Sequence, residues 1–213
     1  MWPDADKTVE LLARARAGDS SAANQLLERH RRALRRMIDL RLDPAIAARL
    51  DASDIVQETL LDASRRLRRY LEDPPMPFHL WVRQIARDRI VDAHRHHRVA
   101  QQRSVDRERR LDAPGLSERS SFILLESLVA GGLTPSAEAV RKELRQRFDE
   151  SLEQLSETDR EVLIMRHFEQ LSNKEVATAL ALTEPAASMR YLRALEHLRD
   201  VFTSDEPTPG DES

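Results

Sequence analysis

Apolar residues return along this chain in alternating steps of three and four, with charged residues between them, a period that belongs to helices. Thr8–Ala17 predicts a short helix carrying Val9, Leu12 and Ala13, stopped by Gly18-Asp19. Ser20 or Ser21 opens a longer one through Arg41. Its buried side is Leu26, Leu27, Leu34, Met37, Ile38 and Leu42, and its other side carries Arg29, Arg31, Arg32, Arg35 and Arg36. Pro44 starts a short turn, Ala45–Leu50. The clearest stripe follows in DASDIVQETLLDASRRLRRY, where Val56, Leu60, Ala63, Leu67 and Tyr70 share one face. Asp51 or Ser53 can cap this helix, and Asp54 places negative charge where the helix dipole favours it. The opposite face runs Asp54, Gln57, Glu58, Leu61 and then Arg65, Arg66, Arg68 and Arg69.

Pro74, Pro75 and Pro77 end that helix, because proline removes a donor and clashes with the preceding turn. The chain restarts at Phe78–Arg98 with Trp81, Val82, Ile85, Ala86, Ile90 and Ala93 inward. Arg83, Arg87, His94 and Arg98 follow on the opposite face. Residues 99–139 are first charged, then turn-rich, then briefly apolar in FILLESLVAGGL, and read as a flexible linker. Residues 140–202 form a second helical block. Leu144, Phe148, Leu152 and Leu155 mark one helix, and Val162, Leu163, Met165 and Phe168 the next. Ser172-Asn173-Lys174-Glu175 is a capping box. Ala181-Leu182-Thr183 turns the chain, Thr183 caps a last helix, and Pro185 sits in its first turn. Leu182, Leu192, Leu195 and Leu198 are expected to hold this helix on its partner. Residues 203–213, acidic and proline-bearing, read as disordered.

Composition agrees with an all-α chain: 4% aromatic, five Gly, and few strong β-formers. The formal net charge is −3, yet Arg65–Arg110 holds thirteen Arg and no Lys against six Asp or Glu, a local +7. Such asymmetry predicts a basic surface for an anion and acidic surface for something else. The absence of Cys excludes disulfides and thiolate–zinc sites. No apolar run approaches the roughly 20 residues of a membrane span, and the N-terminus lacks signal-peptide order, so a soluble cytoplasmic protein is expected. His94, His96 and His97 point apart on a helix and complete no tetrahedral set, so no metal is expected. With no glycine-rich phosphate loop or nucleophile motif, neither a cofactor nor enzymatic turnover is implied.

The pair Lys174–Leu180 and Glu184–Phe202 reads as a helix-turn-helix. The first turns of its second helix offer Ser188, Met189, Arg190 and Arg193, small and cationic groups suited to a major groove. An ordinary helical hairpin has the same outline.

The order D-I-V-Q-E-T at Asp54–Thr59 resembles the second conserved region of the bacterial sigma factors, in the extracytoplasmic-function (ECF) group of the sigma-70 superfamily. There the helix docks on the clamp helices of the RNA polymerase β′ subunit, so the resemblance implies a docking face of Asp54, Gln57, Glu58 and Leu61. PFHLWVRQIARDRIVDAHRHH resembles the remaining half of that region, which grips and opens the minus-ten element. It implies single-strand contacts from Phe78, Arg83, Arg87, Arg89, Arg95 and Arg98. The stripe position of Trp81 predicts core packing; Phe78 is open between core and a stacked base. Asp88 stands where the family often has Asn. Leu155–Arg199 resembles the fourth region, which reads the minus-thirty-five element as duplex and cradles the β flap tip. It implies DNA-facing Ser188, Met189, Arg190 and Arg193. Where the family's turn usually has Gly this chain has Ala181, so a differently shaped turn is expected.

The resulting expectation is two helical domains joined by a linker: 1–19 an N-terminal extension, 20–98 a region 2 domain, 99–139 the linker, 140–202 a region 4 domain and 203–213 a tail. The function expected is a sigma factor that binds core RNA polymerase and directs promoter recognition, DNA melting and initiation. The rival is a stand-alone helix-turn-helix regulator, which leaves DIVQET and the basic helix without purpose. The sequence leaves an anti-sigma factor open as a partner.

Overall fold

The computed structural model describes residues 2–42, 51–102 and 138–203. These residues form eight helices and no strand: α1 Ala5–Arg16, α2 Ser20–Arg41, α3 Ala52–Glu72, α4 Phe78–Gln102, α5 Glu138–Gln154, α6 Glu157–His167, α7 Asn173–Leu180 and α8 Glu184–Thr203. The Ala45–Leu50 turn, most of the linker and the acidic tail lie outside the described residues. Among the described residues, no helix is long and apolar enough to cross a membrane.

Side-chain caps explain most of the helix starts. Asp4, Asp19, Asp51, Ser156 and Ser172 each accept a bond from a backbone N–H of the first turn that has no partner within its helix. Asp4 starts α1 three residues earlier than its apolar pattern alone suggests. α4 continues past the expected end at Arg98, to Gln102.

The N-terminal lobe packs α1–α4 around Leu26, Leu34, Met37, Ile38, Ile55, Val56, Ala63, Val82, Ala86 and Ile90. Tyr70 secures the proline-bearing loop, its hydroxyl donating to the Met76 carbonyl at 2.9 Å. In the C-terminal lobe, Phe148, Leu152, Leu163, Ala194 and Leu198 make one core cluster. A second contains Val162, Met165, Leu171, Val176, Ala177 and Ala187. The apolar stripe of α8 therefore runs Ala187, Tyr191, Ala194, Leu198. Leu192 lies about 100° around the helix from Tyr191 and is 48% exposed, which corrects its expected role in packing.

The α7–α8 turn keeps the ordinary left-handed shape despite its alanine: Ala181 has φ 52° and ψ 41°. Its N–H bonds the carbonyls of the last helical turn, and Asn173 Nδ2 donates to Glu184 O at 2.6 Å across the corner. An L-residue there is strained by about 1–2 kcal/mol, while glycine costs roughly 0.5–1 kcal/mol of chain entropy. Ala181→Gly is therefore expected to stabilise the C-terminal lobe by about 0.5–1 kcal/mol, read as a higher urea midpoint at unchanged slope.

The lobes are packed together. Leu80, from the first turn of α4, is 1% exposed and belongs to the C-terminal cluster, with Trp2 and Met76 beside it.

Candidate polymerase and nucleic-acid interfaces

Capping by Asp51 sets the phase of α3, and its core stripe leaves one uninterrupted outer strip. Asp54, Gln57, Glu58 and Leu61 are all exposed on that strip. Leu61 is 50% exposed, whereas Ile55, Val56, Leu60, Ala63 and Leu67 on the same helix are 8% exposed or less. A leucine held out of the core among acids is a surface for a basic, partly apolar partner.

Behind that strip α3 meets α4 through Asp62, which is 7% exposed. It accepts from Arg89, and Arg65 and Arg66 approach it at 3.7 Å each. One buried carboxylate thus gathers three guanidinium groups from two helices. The family resemblance marks Arg89 but not this organiser, because an acid between Leu61 and Ala63 reads as a solvated face. Arg95 is exposed, 4.0 Å from Asp92. The side chain of Arg98 lies outside the described part of the structure.

The rest of the predicted cationic face is placed differently. Arg83 is 2% exposed, with Nε 2.8 Å from Glu169 Oε2 and Nη2 bonded to Glu161. Arg41, 1% exposed, reaches the same acids, at 3.1 Å from Glu161 and in contact with Glu169. Two cations of the N-terminal lobe therefore face two anions of the C-terminal lobe. The open arginine face predicted for α4 is interrupted at Arg83, because two buried carboxylates neutralise it. Arg87 is paired too, 3.0 Å from Glu157. Burial would raise the Glu161 and Glu169 carboxyls, but Arg41 and Arg83 outweigh it and hold both below the usual range. Burial would likewise weaken the Arg83 cation, and Glu169 and Glu161 instead strengthen it. The sequence carries half of this signal: Arg41 falls four residues after Met37, on the apolar stripe of its helix, where an unpaired charge does not belong.

Phe78, left open between core and a stacked base, goes to the core. Phe78 is 2% exposed, packed edge-on against His30 at 4.9 Å and Tyr70 at 5.3 Å. Its ring has no face free to stack on a base. Trp81 packs against the same core, as its stripe position predicts, 4.5 Å from Tyr70, and stays half-buried. His30 completes this core. Its Nδ1 proton goes to Leu26 O at 2.8 Å, and burial brings the imidazole pKa down to about 4.

On α8, Met189 and Arg193 are exposed, and Ser188 and Arg190 are half-buried beside them. The four line the outer side of the first turns. Arg190 is steadied at 2.8 Å by Asp159 Oδ1, while Asp159 Oδ2 accepts from the Ser156 cap at 2.6 Å.

Comparison with known proteins identifies the family. Residues 26–99 match the family "Sigma-70 region 2" and residues 145–198 match "Sigma-70, region 4". The chain is 32% identical over 204 residues to "ECF RNA polymerase sigma factor SigD" of Mycobacterium tuberculosis, covering 96% of this chain and 88% of that one. It is 31% identical to "RNA polymerase sigma factor CnrH" of Cupriavidus metallidurans, covering 95% and 96% of the two chains. The solved structure of CnrH in complex with the cytosolic domain of CnrY superposes with a TM-score of 0.55 at 24% identity, over 95% of this chain and 100% of that one, a likeness of fold. With both conserved regions present in order and relatives aligned along almost the whole length, the chain belongs to the ECF group of sigma-70 family RNA polymerase sigma factors.

Proposed function

We propose that this sigma factor engages core RNA polymerase through Asp54, Gln57, Glu58 and Leu61 on the β′ clamp helices, with the C-terminal lobe on the β flap. The observation that carries the reading is Leu61, half-exposed in an acidic strip that no other described element covers. Residues 20–98 then serve as the docking and melting domain and residues 140–202 as the upstream duplex reader. Arg89, Arg95 and Arg98 supply cationic contacts to the displaced strand, with Asp62 organising the first, and Arg83 and Arg87 join them once released from their acids. The half-exposed Trp81 offers a ring for an unstacked base. The mechanism is binding: base and strand capture offset the cost of unpairing, and the catalytic chemistry belongs to the polymerase, in the cytoplasm. CnrH is solved in complex with the cytosolic domain of CnrY, and by that likeness the reading extends to a protein partner for this chain, the place the sequence left open for an anti-sigma factor.

Ser188, Met189, Arg190 and Arg193 contact the minus-thirty-five duplex in this reading. Arg193 is exposed and pairs with no acid among the described residues, so its contribution is the easiest to isolate. Arg193→Ala is expected to weaken holoenzyme binding to an upstream-element duplex by about 1–3 kcal/mol, roughly tenfold or more, with affinity for core unchanged. Gel-shift titrations at two salt concentrations check it: loss of a base contact relaxes sequence preference, while loss of a phosphate contact lowers the salt slope by about one. The whole reading is tested by titrating labelled chain against purified core and then asking whether the complex starts transcription. A stand-alone regulator binds duplex DNA and ignores core.

A further inference from the structure

Among the described residues, the large apolar side chains that stand exposed are Val9, Leu61, Met189 and Leu192. A lone exposed apolar residue is ordinary. Met189 and Leu192 are paired: they stand three apart on α8, each 48% exposed, and so share one face of the helix. That face has no packing role inside the chain. On the opposite side, α8 is held by Ala187, Ala194 and Leu198, all fully buried, and by Tyr191, whose ring centre lies 5.4 Å from the Arg166 guanidinium.

The neighbours of the pair limit what it can meet. Arg190 lies about 100° around the helix from Met189 and is tied to Asp159 at 2.8 Å, so it flanks the pair. Arg193 is exposed beside Leu192. One and two turns further on, Glu196 and Asp200 are exposed on the same side, where a phosphate backbone would repel them. Contact with a duplex therefore falls on roughly the first two to three turns, where Met189, Leu192 and Arg193 face outward.

Two of those three side chains are apolar. Pressed against guanine, cytosine or adenine, they would strip water from a ring nitrogen, a carbonyl or an amino group and return no strong hydrogen bond. The major-groove edge of a base pair carries one apolar group, the 5-methyl of thymine. Helix residues rise about 1.5 Å each, so the two side chains are offset by about 4.5 Å along α8, near the roughly 3.4 Å between stacked bases. That offset suits methyl groups on neighbouring base pairs.

We propose that Leu192 is a specificity-determining residue, forming with Met189 an apolar tooth that reads thymine methyl groups on neighbouring base pairs of the upstream duplex. This role rests on the placing of α8 against duplex DNA under Proposed function; it adds Leu192 and names the group on the base that is read.

The test uses holoenzyme made from core polymerase and the full-length chain. Upstream elements are selected from a randomised duplex pool, and thymidine is then replaced by deoxyuridine one position at a time, which removes the methyl and keeps every hydrogen-bonding group. Selected elements are expected to carry thymines on neighbouring base pairs. Loss of each of these methyls should weaken binding about three- to fivefold, the effect of returning one apolar carbon to water. Leu192→Ala should erase that loss at one base pair and Met189→Ala at its neighbour. Both variants are expected to keep native helical circular dichroism, since neither side chain is buried, and the deoxyuridine comparison needs neither. Arg193→Ala should weaken binding to thymidine and deoxyuridine duplexes alike. The proposal is overturned by equal binding of the two duplexes at every position, or by a pool that yields no preferred element. A methyl effect that persists unchanged in both apolar variants also overturns it and assigns the effect to DNA shape. If the methyls are silent while Arg193→Ala still weakens duplex binding, the upstream reading stands and the role of Leu192 falls; if both are silent, the placing of α8 on DNA falls too.

Discussion

Leu61→Asp is expected to abolish productive binding to core RNA polymerase while leaving the chain folded. Leu61 is half-exposed, so its replacement removes little buried area, and stability should move by only about 0.5 kcal/mol. At an interface the same residue becomes an apolar anchor ringed by Asp54, Gln57 and Glu58. Truncating such an anchor typically costs 2 kcal/mol or more, and placing a carboxylate in its pocket adds a desolvated charge. The expected loss is about 2–4 kcal/mol, or thirty- to several-hundred-fold in affinity. Val9→Asp is the control: Val9 is also an exposed apolar residue, at 64%, but on α1 and away from the strip. It should bind core normally. Equal loss in both variants would mean that general surface hydrophobicity, rather than the α3 strip, drives association.

The second large effect is an acid response centred on His30. Its folded pKa, about 4, lies below the ordinary 6.5 because burial disfavours the imidazolium. A depressed pKa contributes stability that is complete above pH 6.5, falls as the pH drops toward 4, and levels off below. The full span corresponds to about 3 kcal/mol, and about 2 kcal/mol of it should be lost between pH 7.5 and 5. His79 and His167 are shifted in the same direction and steepen the same window. Glu161 and Glu169, held low by their arginines, add nothing there and weaken the fold only below about 4.5. Urea unfolding of the chain and of His30→Leu at both pH values isolates the His30 share. The variant should lose about 2 kcal/mol less than the unsubstituted chain over this interval.

Much of this architecture is legible in the chain itself. The four-and-three spacing of Leu26, Leu34, Val56, Leu60, Ile85 and Ile90 names residues that are buried in the N-terminal lobe. Asp51 and Ser172 announce helix starts at which their side chains are found accepting backbone bonds. The strip Asp54-Gln57-Glu58-Leu61 follows from the same phase, since fixing one face of a helix fixes the other. Illegible were the contacts made at long separation. Nothing local to Arg83 tells it from Arg87 or Arg95; its burial depends on Glu161 and Glu169, which lie 78 and 86 residues away. Phe78 and Trp81 sit three apart on one face of a helix, so periodicity could not decide which ring turns toward His30. Ala181 shows the reverse case, where a tertiary corner imposes a left-handed backbone on a residue that disfavours it.

The account depends on a division of work in which this chain recognises and opens the promoter and a separate enzyme makes the RNA. Permanganate reactivity of thymines near a mapped start site measures that opening directly. Core polymerase with the unsubstituted chain should expose unpaired thymines around the start site and yield transcripts of defined length. Core alone, the chain alone, and core with Leu61→Asp should leave the duplex closed. Closed promoter DNA with core and unsubstituted chain together, alongside tight duplex binding by the chain without core, would contradict the account.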